Sequence, residues 1–277
     1  MSRSQGPPLA WNPAWPTFRP IEYYVAGAGL GASIAAQIAR PRPKHWQGGV
    51  LFDEGFRKVA RPGAYYARQT AEDASDVLLS LVISYPFAVD ALGVAWWYRG
   101  SDQVAAQMAL INTEALTISM GLQSVATVIG SRERPYGRTC GGELDAQSVD
   151  CTSSNRHRSY FSGHTSVAFV GASLTCTHHA YLQLYGGGTP DTVVCVSGLA
   201  LAGLTGFFRI MGDRHYATDV LSGAVIGSAT GFLVPWLLHY RGGAGRAAQA
   251  AEGPKHSGLS LYPIASPGLF GVGGSFL

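Results

Sequence analysis

Apolar residues gather into six long segments, 21–39, 77–98, 104–130, 165–185, 193–208 and 220–240, separated by polar stretches containing Gly and Pro. Each segment lies near the length of about 20 residues that a bilayer's hydrocarbon core demands of a helix. Asp90, Asn112, Glu114, His178 and His179 interrupt them, and polar groups at such depth are costly unless they face a bundle interior. Gly27 and Gly31 in the first segment, and Gly223, Gly227 and Gly231 in the last, recur at the four-residue spacing that lets helices approach closely. The pattern predicts an all-α fold, a six-helix transmembrane bundle. Taken singly, the same segments also suit the core of a soluble helical protein.

One domain is expected, residues 21–240, because no low-complexity stretch divides two cores. A polar segment, residues 1–20, precedes it with five prolines and no apolar h-region, so no cleavable leader is expected. A Gly/Ala-rich tail, residues 241–277, reads as a flexible linker with an apolar end. Residues 51–59 alternate apolar pairs with charges and suit either a helix on the membrane surface or a solvated connector.

Charged residues make up 13% of the 277 and hydrophobic ones 47%. That charge content is about half the usual share of a soluble domain, which strengthens the membrane reading. Mean hydropathy is only +0.10, because the termini and connectors are polar. A net charge of +3 without a basic patch interleaved with aromatics excludes a nucleic-acid partner. His45, His157, His178, His179, His239 and His256 show no ligand spacing with Cys or carboxylates, so no metal and no cofactor are expected. Nothing in the sequence sets the oligomeric state.

The chemistry lies in two short stretches. Arg209, His215 and Asp219 stand as Arg-x5-His-x3-Asp, and Ser162-Gly163-His164 precedes them behind Arg134 and Arg138. On a helix, Asp219 would reach the His215 ring, accept its Nδ1 proton and leave Nε2 free as a nucleophile. Attack on phosphorus would form a phosphohistidine, provided a second group protonates the departing oxygen. His164 suits that role, at a helix start where free N–H groups hold anions. Arg134 and Arg209 offer planar, permanently charged forks for the phosphate oxygens.

Together these pieces resemble the type 2 phosphatidic acid phosphatase superfamily, which includes vanadium haloperoxidases. The family pattern is Lys-x6-Arg-Pro, Pro-Ser-Gly-His and Ser-Arg-x5-His-x3-Asp. Here it reads Thr127-x6-Arg134-Pro135, Phe161-Ser162-Gly163-His164 and Phe208-Arg209-x5-His215-x3-Asp219. The resemblance implies His215 as nucleophile, Asp219 as its orienting partner and His164 as general acid, with Arg134, Arg209, Ser162 and Gly163 on phosphate. Thr127 replaces the family's lysine, and Arg132, Arg138 and Arg214 are candidates to supply its charge.

A membrane-embedded phosphatase acting on a lipid phosphate or diphosphate is the leading expectation. A vanadium-dependent haloperoxidase-like enzyme and a degenerate lipid-phosphate binder without turnover are the alternatives. Six spans put residues 40–76, 131–164 and 209–219 on one catalytic side of a multi-pass membrane protein. Lys and Arg crowd that side, which by charge alone turns it toward the cytoplasm, whereas bacterial members of the resembled family imply an outward site. Reading the arginines as phosphate ligands, the outward orientation is expected. Cys140 and Cys151 bracket a short loop there and are a candidate disulfide; Cys176 and Cys195 lie in apolar segments and read as packing residues.

Overall fold

Proline in a first helical turn sacrifices no hydrogen bond, and helix α1 (Pro20–Ile38) begins on one. Glu22 closes its capping box by accepting the Arg19 backbone N–H at 2.6 Å. A computed structural model describes residues 6–242 and the backbone of residues 260–266 and 269–275. After α1 come α2 (Asp53–Ala60), α3 (Tyr65–Ser84), α4 (Asp102–Gly130), the one-turn α5 (Val149–Thr152), α6 (Gly163–Leu182), α7 (Thr189–Met211) and α8 (Ala217–Pro235). Pro86 and Pro235 remove ladder hydrogen bonds, and there α3 and α8 widen into π-type coils that run on to Tyr98 and Tyr240. The six long helices cover the six predicted segments. Residues 51–59 largely fall within α2, an amphipathic helix whose Asp53 is fully buried.

Helix α6 occupies the centre, with α3, α4, α7 and α8 around it and α1 laid along α4. The bundle is apolar outside and polar within. Ile129, Val225 and Leu92 are 67%, 68% and 56% exposed, whereas Asp90, Asn112, Glu114 and His178 are each 0% exposed. Tyr65–Tyr98, Thr189–Met211 and Ala217–Tyr240 are long and apolar enough to cross a membrane. The interior groups largely satisfy one another: His178 bonds Asn112 Oδ1 at 2.7 Å and Tyr240 OH at 2.8 Å, and His179 lies between Asp191 and Asp90.

Close approach of α6 and α8 rests on the predicted glycines of the last segment. A Cβ on Gly223, Gly227 or Gly231 would stand 2.6, 2.2 or 2.6 Å from the carbonyl oxygen of Ser162, Ser166 or Val170. In the first segment the expectation fails, since Gly27 and Gly31 face open space. The contact there is instead Gly29, whose Cβ would meet the Thr117 carbonyl at 2.5 Å and which faces Gly121 of α4.

Two further departures concern the ends. The Pro-rich start is built into the bundle: Trp11 and Trp15 are buried against Tyr240 and Tyr181, with Trp15 edge-on to Tyr240 at 4.8 Å. Within the tail read as a linker, Ser260–Ser266 pairs antiparallel with Leu269–Ser275 as strands β1 and β2, where Leu, Tyr, Ile, Phe and Val favour extended backbone; residues 243–259 lie outside the described residues. The cysteine reading is also corrected. Cys176 and Cys195 form a disulfide between α6 and α7, because the two helices bring their Cα atoms within 4.4 Å.

Gly227→Ala forces a methyl group into the α6 backbone, and overpacking of this kind costs about 1–3 kcal/mol. The detergent-solubilised variant should melt several degrees below the parent chain, while Gly27→Ala, which meets nothing, should melt with it.

Candidate active site

Ser162 caps α6, its Oγ accepting from the Thr165 backbone N–H at 3.4 Å and from the Thr165 hydroxyl at 2.9 Å. Its own N–H donates to the Asp219 carbonyl at 3.0 Å, which ties the start of α6 to the start of α8. Gly163 follows in contact range of Gln123, where a Cβ would already crowd at 3.2 Å. His164 therefore stands in the first turn of α6, as the sequence predicts.

His215 lies just before α8, so the helical His-to-Asp geometry expected from the four-residue spacing does not form. Asp219 is the third residue of α8 and accepts the Tyr216 N–H at 3.0 Å in a capping box. Its Oδ2 is 3.9 Å from His215 Nδ1, beyond hydrogen-bond range. Nδ1 instead meets the Ser159 carbonyl at 2.8 Å. A carbonyl only accepts, so the proton sits on Nδ1 and Nε2 is bare. Asp219 acts one residue removed: Oδ2 accepts the Ser159 hydroxyl at 2.6 Å and fixes the residue that holds the ring. Burial, then the charges of Arg134 and Arg209, hold the His215 pKa well below its usual 6.5.

The bare nitrogen belongs to a cavity of about 190 Å³ lined by His215, His164, Gly163, Arg134, Thr127 and Arg158 among others. That is well above the roughly 10–15 Å³ that a single water needs, and ample for a tetrahedral phosphoryl group. Ser162 caps its helix instead of lining this space. Arg209 approaches from α7 toward His164, and Asp76 of α3 contacts both: Oδ1 is 3.0 Å from His164 Nε2 and 2.9 Å from Arg209 Nη1. One carboxylate oxygen thus stands between two groups that the motif assigns to acid catalysis and phosphate. Asp76 is a partner the sequence reading missed, since it lies in the lead-in to an apolar segment and outside every motif.

The three candidate replacements for the absent lysine are all committed elsewhere. Arg132 is fully buried, stacked between Trp46 and Tyr216 at 4.5 and 4.2 Å and paired with Asp53 at 2.7 Å and Asp219 at 2.5 Å. Arg138 pairs with Glu54 near the surface. Arg214 forks between Glu72 and Asp150, each at 2.7 Å, and borders a neighbouring cleft. Thr127 itself accepts from Gln123 Nε2 at 2.8 Å. A second cation lines the cavity beside Arg134: Arg158, which the sequence reading passed over. Its Nη2 donates to the Ala36 and Ala39 carbonyls at 3.0 and 2.9 Å, and no ion pair to it occurs among the described residues. Beside the site, Cys140 and Cys151 form a disulfide across the loop that follows Arg138.

A family model described as the PAP2 superfamily matches residues 108–242. A lipid A 1-phosphatase from Porphyromonas gingivalis is 31% identical over 140 residues, 50% of this chain and 26% of that protein. The match thus spans about a quarter of the curated relative's length. No solved structure matches the chain.

Arg132→Leu strands two buried carboxylates, a loss of about 3–5 kcal/mol for a broken buried network. Chemical denaturation of the solubilised variant should show a midpoint shift of that size, and Arg138→Leu almost none. His215 also makes stability depend on pH. Its folded pKa is depressed, so its contribution is full above about pH 6.5 and is lost as pH falls toward the folded pKa. Melting curves from pH 7.5 to 5 should shift downward, less so in His215→Asn.

Proposed function

We propose that this chain, whose residues 108–242 carry the PAP2 superfamily match, is a membrane phosphatase that hydrolyses a lipid phosphate or diphosphate through a phosphohistidine at His215. The observation that carries this reading is the His215 ring, held by Ser159 with its Nε2 free at a cavity shared with His164, Arg134 and Arg158. Nε2 attacks phosphorus, the bond to the leaving oxygen breaks, and His164 delivers a proton to that oxygen. Water then attacks the phosphohistidine, returns a proton to His164 and releases inorganic phosphate. The N-terminus of α6 and the guanidinium groups stabilise the charge that grows on the phosphoryl oxygens. Arg158 takes the charge that the family places on lysine. Asp76 aligns Arg209 and the His164 ring before the substrate arrives; burial and then the Arg209 charge lower the His164 pKa to about 4, so its proton is taken up together with the anionic phosphate.

A lipid substrate is supported by three helices long and apolar enough to cross a membrane and by the relative, a lipid A 1-phosphatase. Glycolipid 1-phosphates therefore join phosphatidic acid and prenyl diphosphates as substrates to assay. The Cys140–Cys151 bridge supports a catalytic face turned to an oxidising compartment, outside the cytoplasm.

The test is phosphate release from these lipids by the purified protein in detergent, with and without vanadate. Vanadate-sensitive turnover should vanish in His215→Ala and fall about 10²–10³-fold in Arg158→Ala, the usual loss for one transition-state donor. Binding without release in the parent chain would sink the phosphatase reading and leave a lipid-phosphate binder.

A further inference from the structure

At the end of the bundle remote from the cavity, three acceptor groups face one another with no donor among them. Helix α1 reaches Arg158 with its last turn and holds Glu22 in its first; α8 starts beside the cavity at Asp219, and its continuation ends near His239. Glu22, Glu114 of α4 and His239 are 2%, 0% and 0% exposed, and their ligand atoms all lie within 4.8 Å of one another.

His239 Nδ1 donates to the Pro16 carbonyl at 3.1 Å, which leaves the Nε2 lone pair pointing at the carboxylates. Nε2 is 3.9 Å from an oxygen of Glu22 and from one of Glu114, too long for a hydrogen bond in either case. Both Glu114 oxygens and His239 Nε2 are buried without a hydrogen-bond partner. Glu22 is otherwise satisfied by Arg19, at 2.6 Å from its N–H and 2.8 Å from Nε, so the deficit is centred on Glu114. A buried carboxylate with no donor is strongly destabilising.

We propose that Glu22, Glu114 and His239 bind one divalent transition-metal ion of the zinc type. Ligand distances of about 2.0–2.2 Å on either side of an ion bridge the 3.9 Å gaps. One imidazole with two carboxylates suits zinc or its first-row neighbours better than calcium or magnesium, which take oxygen only. The Pro16 carbonyl on the far ring nitrogen is the usual outer support of a metal-bound histidine. The ligands come from the start of α1, the middle of α4 and the end of the α8 continuation, and Phe18 stacks on the His239 ring at 6.0 Å. The ion therefore clasps the N-terminal segment and the last helix onto the bundle core.

The inference is independent of the phosphatase reading, and its test needs no activity. The full chain is purified in detergent, stripped with chelator, and titrated with Zn²⁺ or Co²⁺ alone. Elemental analysis should find about one equivalent bound, visible Co²⁺ absorption should appear, and melting should rise by about 5–10 °C at a hundredfold excess over Kd. Glu114→Gln, which preserves shape, and His239→Gln should lose all three responses. The proposal is overturned if the parent chain neither binds nor is stabilised by either ion. It is equally overturned if both variants bind as the parent does, since the ion then lies elsewhere. Should the variants fail to fold, the chelation and refilling of the parent chain decide alone.

Discussion

Arg132 is the joint on which the cavity end of the molecule depends. It carries a full charge at zero exposure, and two carboxylates, Asp53 and Asp219, neutralise it. Two aromatic faces enclose the same guanidinium, an arrangement that gains most where water is excluded. Asp53 comes from α2, and its other bonds, to the Thr218 N–H and hydroxyl, hold the first turn of α8. Asp219 grips Ser159, and Ser159 holds the His215 ring. An amphipathic surface helix, a loop arginine and a helix cap thus converge on one imidazole without touching it.

The rest of the bundle follows a complementary rule. Its surface is apolar, so polar side chains are driven inward and must find partners there. His178 with Asn112 and Tyr240, and His179 with Asp90 and Asp191, do so within hydrogen-bond distance. Close helix contact at Gly223, Gly227 and Gly231 supplies what a hydrophobic driving force cannot in lipid, namely short backbone separations and dispersion.

Hydrophobic periodicity was sufficient to place six helices, since length and apolar content are local properties. His164, His215 and Arg134 stand out in the sequence for a different reason, the spacing of the motifs they belong to, and the fold brings all three to one cavity. What the sequence could not disclose depends on adjacency across the fold. The Asp219 spacing suggests direct contact with His215, but the helix begins at Ala217, two residues beyond the histidine. Arg158 and Asp76 lie outside any motif, and only the packing of α1 and α3 brings them to the site. Cys176 and Cys195 looked like packing residues because nothing local reveals that two helices run so close. The last-segment glycines were read correctly, whereas Gly27 and Gly31 were not, because spacing does not say which side of a helix meets a neighbour.

The bridge between Cys176 and Cys195 bears on how a long amphiphile can move within such a molecule. Helices α6 and α7 are already joined at one end by their connecting turn, and the bridge rivets them again partway up. They can splay only above that rivet, over the stretch from Gly163 to Cys176, roughly 20 Å of helix at about 1.5 Å per residue. The seam between them is a blind slot, closed at its foot, so a long chain entering it does so only at the end that carries His164.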